Sequence, residues 1–348
     1  MKLSPANCNY SSKNGEEYRM LYFIEFLRAI AVALITNSHF KGVYPIDMLA
    51  FGGGLGVALF YIISGYLLAN IKTDTKFSGW YIKKIIRLYI PLWIVKIIQL
   101  IFSDIKINST GDFIREFIFT TGYWFTASLV AFYILYYVYM KYIYLKYGNK
   151  SFYIAFGILF IGYTLFYITK LPIGAYSLGN MEIHEFSVET PYIISQFIWF
   201  GCMLLGAFLR KRPSEEPAVK KKWLYLILAG FSVFLFFLIR VLENKTFDFL
   251  EYFLAVPYFG FAYYIFKCFA LMENTFINIK ENILGKFILL ISSTTLEIYY
   301  VQQFLISIFA EYVFPLNFVL LVVSIVLLGV GLHFISKFII KKAEEILK

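Results

Sequence analysis

The sequence predicts an all-α integral membrane protein with about ten transmembrane helices and both termini in the cytoplasm. Three observations predict it. Hydrophobic residues make up 60% of the chain and aromatics 21%, while only 16% are charged; a soluble domain carries about a quarter charged residues. Apolar runs recur that are long enough to cross a bilayer core, which takes roughly 20 helical residues. Finally, the loops between the runs alternate between rich and poor in Lys and Arg, as in a chain threaded back and forth with its basic loops inside.

Residues 1–19 are polar and read as a cytoplasmic N-terminal segment. No small-residue cleavage site follows the first run, 20–40, so it reads as a retained helix and not as a signal peptide. Further runs follow at 52–71, 85–103, 122–140, 151–169, 191–209, 223–241, 249–272, 283–309 and 313–336. The glycines Gly52, Gly53, Gly54 and Gly56 precede the second run. No Gly-Lys-Ser/Thr follows them, so they do not form a phosphate-binding loop; they suit a tight turn or close helix packing. Prolines and charges make "RKRPSEEPAVKKK", 210–222, a loop. Residues 20–340 contain no linker long enough to separate distinct domains and no internal repeat, and 341–348 read as a basic cytoplasmic tail.

The N-terminus, the loops after even-numbered runs and the tail hold 24 of the 32 Lys and Arg residues, whereas the opposite loops hold 6. That asymmetry puts both termini in the cytoplasm. It also accounts for the formal charge of +10 without a nucleic-acid partner. Cys8, Cys202 and Cys268 form no CxxC or Cys/His cluster, so neither a disulfide framework nor a metal site is expected.

The first run carries an unusual set of polar residues. Glu25 and Arg28 form an i,i+3 pair, and His39 follows Arg28 by three helical turns to within about 20°. All three share one stripe, filled between by Val32 and Ile35. At ~1.5 Å per residue, Arg28 and His39 stand roughly 16 Å apart along the axis. Each ionisable group in a span costs at least ~2.5–3.5 kcal/mol. Taken singly, Arg28 reads as snorkelling to headgroups and His39 as interfacial; together with a carboxylate on one stripe, they predict a polar lane through the protein. Glu297, mid-membrane in the ninth run, is a functional candidate on the same ground. His184, in an external loop, reads as solvated, and His333 as a packed or interfacial histidine.

"IEFLRAIAV", with Arg28, ten residues and then His39, resembles the signature of the membrane-bound acyltransferase-3 family. "GVALFYIISGYLLA", 56–69, is similar to that family's aromatic and Ser-Gly motif through Phe60, Tyr61, Ser64 and Gly65. "KKIIRLYIPLW", 83–93, resembles an Arg-x-x-Arg motif, with Lys84 and Arg87 at the two basic places. "YWFTASLVAFYI", 123–134, resembles an aromatic fourth-helix motif, and "STTLEIYYVQQF", 293–304, a late-helix motif whose usual His is Gln302. Three departures stand out: Lys84 for Arg, Leu129 or Val130 where some members have Glu, and Gln302 for His.

The resemblance implies an O-acetyltransferase of the bacterial-type inner membrane. It would move acetyl, or another acyl group, from cytoplasmic acetyl-CoA to a hydroxyl of a surface polysaccharide or its lipid-linked precursor. It implies acyl-CoA, a carbohydrate or lipid-linked glycan and the bilayer as partners, with no bound cofactor or metal. His39 is the candidate base, since histidine titrates near neutral pH. Arg28 either orients the donor or stabilises an oxyanion, or instead pairs with Glu25 to shape the lane. Lys83, Lys84 and Arg87 are candidates for the CoA phosphates. Tyr61, Ser64, Trp124, Glu297, Tyr300 and Gln302 are expected to line the lane. The rival reading is a glycolipid or polysaccharide transporter or flippase without acyl transfer.

Overall fold

A computed structural model of the chain describes residues 20–102, 105–120, 122–169, 192–212, 221–243, 248–309 and 312–346. These are helical, with no strand among the described residues. In chain order the helices are α1 (Tyr22–Ser38), α2 (Gly53–Leu68), α3 (Phe77–Ile101), α4 (Thr110–Phe113), α5 (Trp124–Val138), α6 (Leu145–Tyr147), α7 (Lys150–Thr169), α8 (Tyr192–Lys211), α9 (Lys222–Glu243), α10 (Ala255–Ala270), α11 (Glu273–Ile279), α12 (Ile283–Ser293), α13 (Thr295–Phe309) and α14 (Leu316–Ile346). All ten apolar runs are helical. By length and composition, six helices among the described residues are able to cross a membrane: those over 47–68, 124–147, 150–168, 222–242, 250–270 and 316–346. Counting α12 and α13 as one broken span makes seven. The chain is a multi-pass helical membrane protein.

One expectation is corrected. The run 283–309 is not one helix, because α12 and α13 meet at 76° around Thr294. The cause is local. Ser293 Oγ and Thr294 Oγ1 donate to the Leu290 carbonyl at 2.8 and 3.0 Å, and Thr295 Oγ1 donates to the Ser292 carbonyl at 2.7 Å. Consecutive hydroxyls that bond back to the preceding turn compete with the backbone ladder and bend the helix.

α2 lies at the centre, packed against α1, α8 and α10. Small residues allow the close approach. A Cβ on Gly206 would overlap the Ile62 carbonyl, one on Gly65 would overlap the Met203 carbonyl, and one on Gly56 would reach 2.7 Å from the Ala31 carbonyl. The glycine-rich entry to α2 and the Ser-Gly pair are thus packing features, as small-residue contacts between membrane helices generally are. Gly52, at φ +99°, makes the left-handed turn into α2.

α13 packs on α14, where Ile298 lies against Gly329, and on α1 and α3. The segment between α3 and α5 folds back along α3. Lys96 Nζ pairs with Glu116 at 2.6 Å, Trp93 donates to the Phe117 carbonyl and Tyr89 to the Ile118 carbonyl. Lys96 and Glu116 are both buried, and the Lys96 ammonium also sits 5.1 Å from the Tyr123 ring centre.

Candidate functional site

α1 carries the site and is fixed at both ends by distant residues. At its start, the Glu273 carboxylate of α11 accepts the Tyr22 and Phe23 N–H groups at 3.1 and 2.7 Å, supplying the acceptor that a helix N-terminus lacks. At its end, Asn37 donates to the Leu49 and Phe51 carbonyls and accepts from the Tyr44 hydroxyl at 2.7 Å. The helix stops at Ser38, and His39 is its half-buried C-cap.

Arg28 Nη1 lies 3.3 Å from both Glu25 oxygens. Glu25 also accepts the Ser292 hydroxyl at 2.5 Å, which ties α1 to the end of α12. Among the described residues, Arg28 Nη2 and Nε make no hydrogen bond, and the side chain is 33% exposed. The cations within electrostatic reach of Lys84 are Arg87, Arg28 and Lys83, and Glu344 is the carboxylate. Tyr133, buried on α5, lies within reach of both Arg28 and Arg87. The structure therefore brings Arg28, Lys84 and Arg87 into one cluster from α1 and α3, with Lys83 exposed at its edge. Lys84 Nζ also lies 6.0 Å from the centre of the Trp80 ring. Arg87 is held in turn by Glu344, near the end of α14, at 2.9 and 3.2 Å. Such a cluster suits an anion with several phosphates, which guanidinium forks bind in a bidentate manner.

Between this cluster and His39 the side chains along α1 are closely packed. Val32 and Ile35 close against Phe60 of α2, Phe125 of α5 and Thr295, Leu296 and Tyr299 of α13, leaving a gap of about 10 Å³. β-Branched and aromatic side chains pack this seam, and the hydroxyls of Thr295 and Tyr299 are the polar groups of its lining residues. The expected polar lane is thus an apolar seam with a cationic cluster at one end and His39 at the other.

The remaining candidates scatter around the seam. Tyr61 is fully buried among Phe125, Phe132 and Trp199. Ser64 is half-buried beside Gly65, and Trp124 opens α5, edge-on to Phe125. Tyr300 shares a hydrogen bond with Thr126 at 2.9 Å and donates to the Leu88 carbonyl at 3.1 Å. Glu297 lies on the α14 side of α13, away from α1, where it meets His333 Nδ1 at 3.0 Å and Ser336 Oγ at 3.1 Å. His333, read from sequence as a packed or interfacial residue, thus has a carboxylate partner. Gln302 is fully buried on α13. His184 lies outside the described residues. Sequence reasoning missed Ser292, Glu273 and Glu344, whose partners are 250 or more residues away; no local signal marks them.

A family model described as an acyltransferase domain matches residues 21–337. The chain belongs to the acyltransferase-3 family. Membership gives residues 21–337 of this membrane protein the acyltransferase domain by which the family is described. The chain is also similar to the peptidoglycan O-acetyltransferase OatA of Listeria monocytogenes serovar 1/2a, strain EGD-e, at 27% identity over 122 residues. That match covers 32% of this chain and 19% of the relative, so the chain spans about a fifth of that relative's length. No solved structure matches the chain. Within this domain Arg28 and His39 mark the two ends of the seam.

Proposed function

We propose that this acyltransferase moves acetyl from cytoplasmic acetyl-CoA to a hydroxyl of a cell-envelope carbohydrate, either a surface polysaccharide or its lipid-linked precursor. It would act in the inner membrane, as a single domain over 20–340 with ten spans and both termini cytoplasmic. The relative's printed activity on peptidoglycan supports O-acetyl transfer to an envelope glycan, and the Lys/Arg asymmetry supports a donor side on the cytoplasmic face. One observation carries the reading: Arg28 joins Lys84 and Arg87 in a single cationic cluster, while His39 caps the other end of the same helix.

The chemistry then divides between the two ends. The cluster holds the CoA phosphates, with Glu25 fixing the Arg28 fork. At roughly 16 Å from His39, Arg28 is too distant to stabilise an oxyanion formed there, so it serves to orient the donor. The slender pantetheine arm runs along the seam between Val32, Ile35 and Tyr299. The seam must open for this, a conformational step of the kind that gates many enzymes. His39 takes the proton of the acceptor hydroxyl as its oxygen attacks the thioester carbonyl. The tetrahedral intermediate collapses with cleavage of the C–S bond. The ester remains on the sugar, and the CoA sulfur leaves with the proton returned by His39.

The test is turnover by protein purified into vesicles. Consumption of labelled acetyl-CoA, with base-labile acetate appearing on added envelope glycan, is the expected result. Binding or movement of glycan with no acetyl-CoA consumed would replace this reading with the transporter.

A further inference from the structure

Gln302 is fully buried, and among the described residues neither its amide oxygen nor its amide nitrogen has a hydrogen-bond partner. A buried amide left unpaired costs about 1–3 kcal/mol for each group, and native proteins retain few such groups. The neighbours of Gln302 in sequence, Tyr299 and Tyr300, make ring contacts, whereas the Gln302 amide has no partner among the described residues.

The register places this amide. Ser292 meets Glu25, and Thr295, Leu296 and Tyr299 meet Val32 and Ile35. α13 therefore runs parallel to α1. Gln302 follows Thr295 by seven residues, two turns on the same stripe, and so lies about 10 Å further along. His39 follows Val32 by the same seven residues. The two stripes that close the seam thus run in the same direction, one towards a half-buried imidazole and the other towards an unpaired amide.

We infer that Gln302 is an acceptor-binding residue. Its amide holds a hydroxyl of the carbohydrate adjacent to the one that His39 deprotonates. A primary amide offers a donor and an acceptor, which is what a sugar hydroxyl needs, and vicinal hydroxyls on a ring present two such groups side by side. In the free protein the unpaired amide costs stability, and acceptor binding satisfies it. Discrimination against an acceptor lacking that hydroxyl follows, because the amide would then stay unpaired. This role rests on the acyltransferase reading above.

The test uses the full chain with Gln302→Met, close to glutamine in shape, and Gln302→Leu as a second apolar variant. Three readouts are compared at matched membrane levels: acetate released by base from envelope glycans of expressing cells, acetyl-CoA affinity of purified protein, and thermal stability in detergent. The expected result is a loss of transfer of roughly 10- to 100-fold, the scale of losing two hydrogen bonds, with donor affinity unchanged and melting temperature equal or higher. Full transfer by either variant overturns the role. A lower melting temperature in both variants makes the amide part of the fold, and weaker acetyl-CoA binding puts it on the pantetheine arm; either result overturns the role too. If wild-type cells carry no more base-labile acetate than cells lacking the chain, the acyltransferase reading itself fails, and this role fails with it.

Discussion

Arg28 has a carboxylate partner in Glu25 and like-charged neighbours in Lys84 and Arg87. An arginine so placed, with two of its nitrogens unbonded, is set to receive an anion. Arg28→Lys keeps the charge but loses the planar fork, and Arg87→Ala removes a cation whose carboxylate partner is on a neighbouring helix. Because a hydrogen bond to a charged group is worth ~1.5–3 kcal/mol, each change should weaken acetyl-CoA binding roughly 10- to 100-fold, with little effect on melting temperature. Equilibrium binding of labelled acetyl-CoA checks this. Unchanged affinity in both variants would leave these residues as ordinary anchors at the membrane surface. Glu344 adds a smaller effect. It pairs with Arg87, which is 58% exposed, and exposed pairs contribute only ~0–1 kcal/mol. Glu344→Gln should therefore raise donor affinity by no more than about fivefold, read in the same assay.

At the scale of the helices, the sequence pattern revealed the all-helical architecture, while six or seven helices among the described residues, against the ten spans expected, are long and apolar enough to cross a membrane. All ten apolar runs are helical, and the glycines before α2 and the Ser-Gly pair mark places where backbones touch. The bend at Thr294 escaped a hydropathy reading because the run stays apolar through it; the Ser-Ser-Thr-Thr series that causes the bend is visible only as a hydrogen-bonding pattern. The polar lane was inferred from three residues on one stripe. The stripe is present, but Val32 and Ile35 pack against aromatic residues of α2, α5 and α13, and no local sequence records which rings will meet. The Glu297–His333 pair was missed for the same reason, being a contact between helices. Glycine packing gives an element-scale prediction. Gly206→Ala forces the new Cβ into the Ile62 carbonyl, and overpacking of this kind typically costs ~1–3 kcal/mol or more. Gly230→Ala, on α9, meets nothing within 4 Å and should be neutral or add up to ~1 kcal/mol. Melting of the two variants in detergent should separate them in that order; equal stability would mean that α2 and α8 are less tightly apposed.

For the whole molecule, the proposed chemistry requires a donor side and an acceptor side. The positive-inside asymmetry predicts that residues 210–222 and the C-terminus face the cytoplasm and that 170–190 face outward. In a chain with its native cysteines replaced, Asn180→Cys should react with a membrane-impermeant thiol reagent added to intact cells, whereas Ser214→Cys should react only after lysis. The opposite pattern would put the cationic cluster on the wrong side for a cytoplasmic donor. In this mechanism one helix joins donor and acceptor, with the base at its far end. The decisive experiment measures base-released acetate on envelope glycans from cells making His39→Ala at wild-type membrane levels, together with acetyl-CoA affinity of the purified variant. Donor affinity should be unchanged, and transfer should fall by roughly 10²–10⁴-fold, the scale of a general base. Wild-type acetylation by His39→Ala would contradict the mechanism.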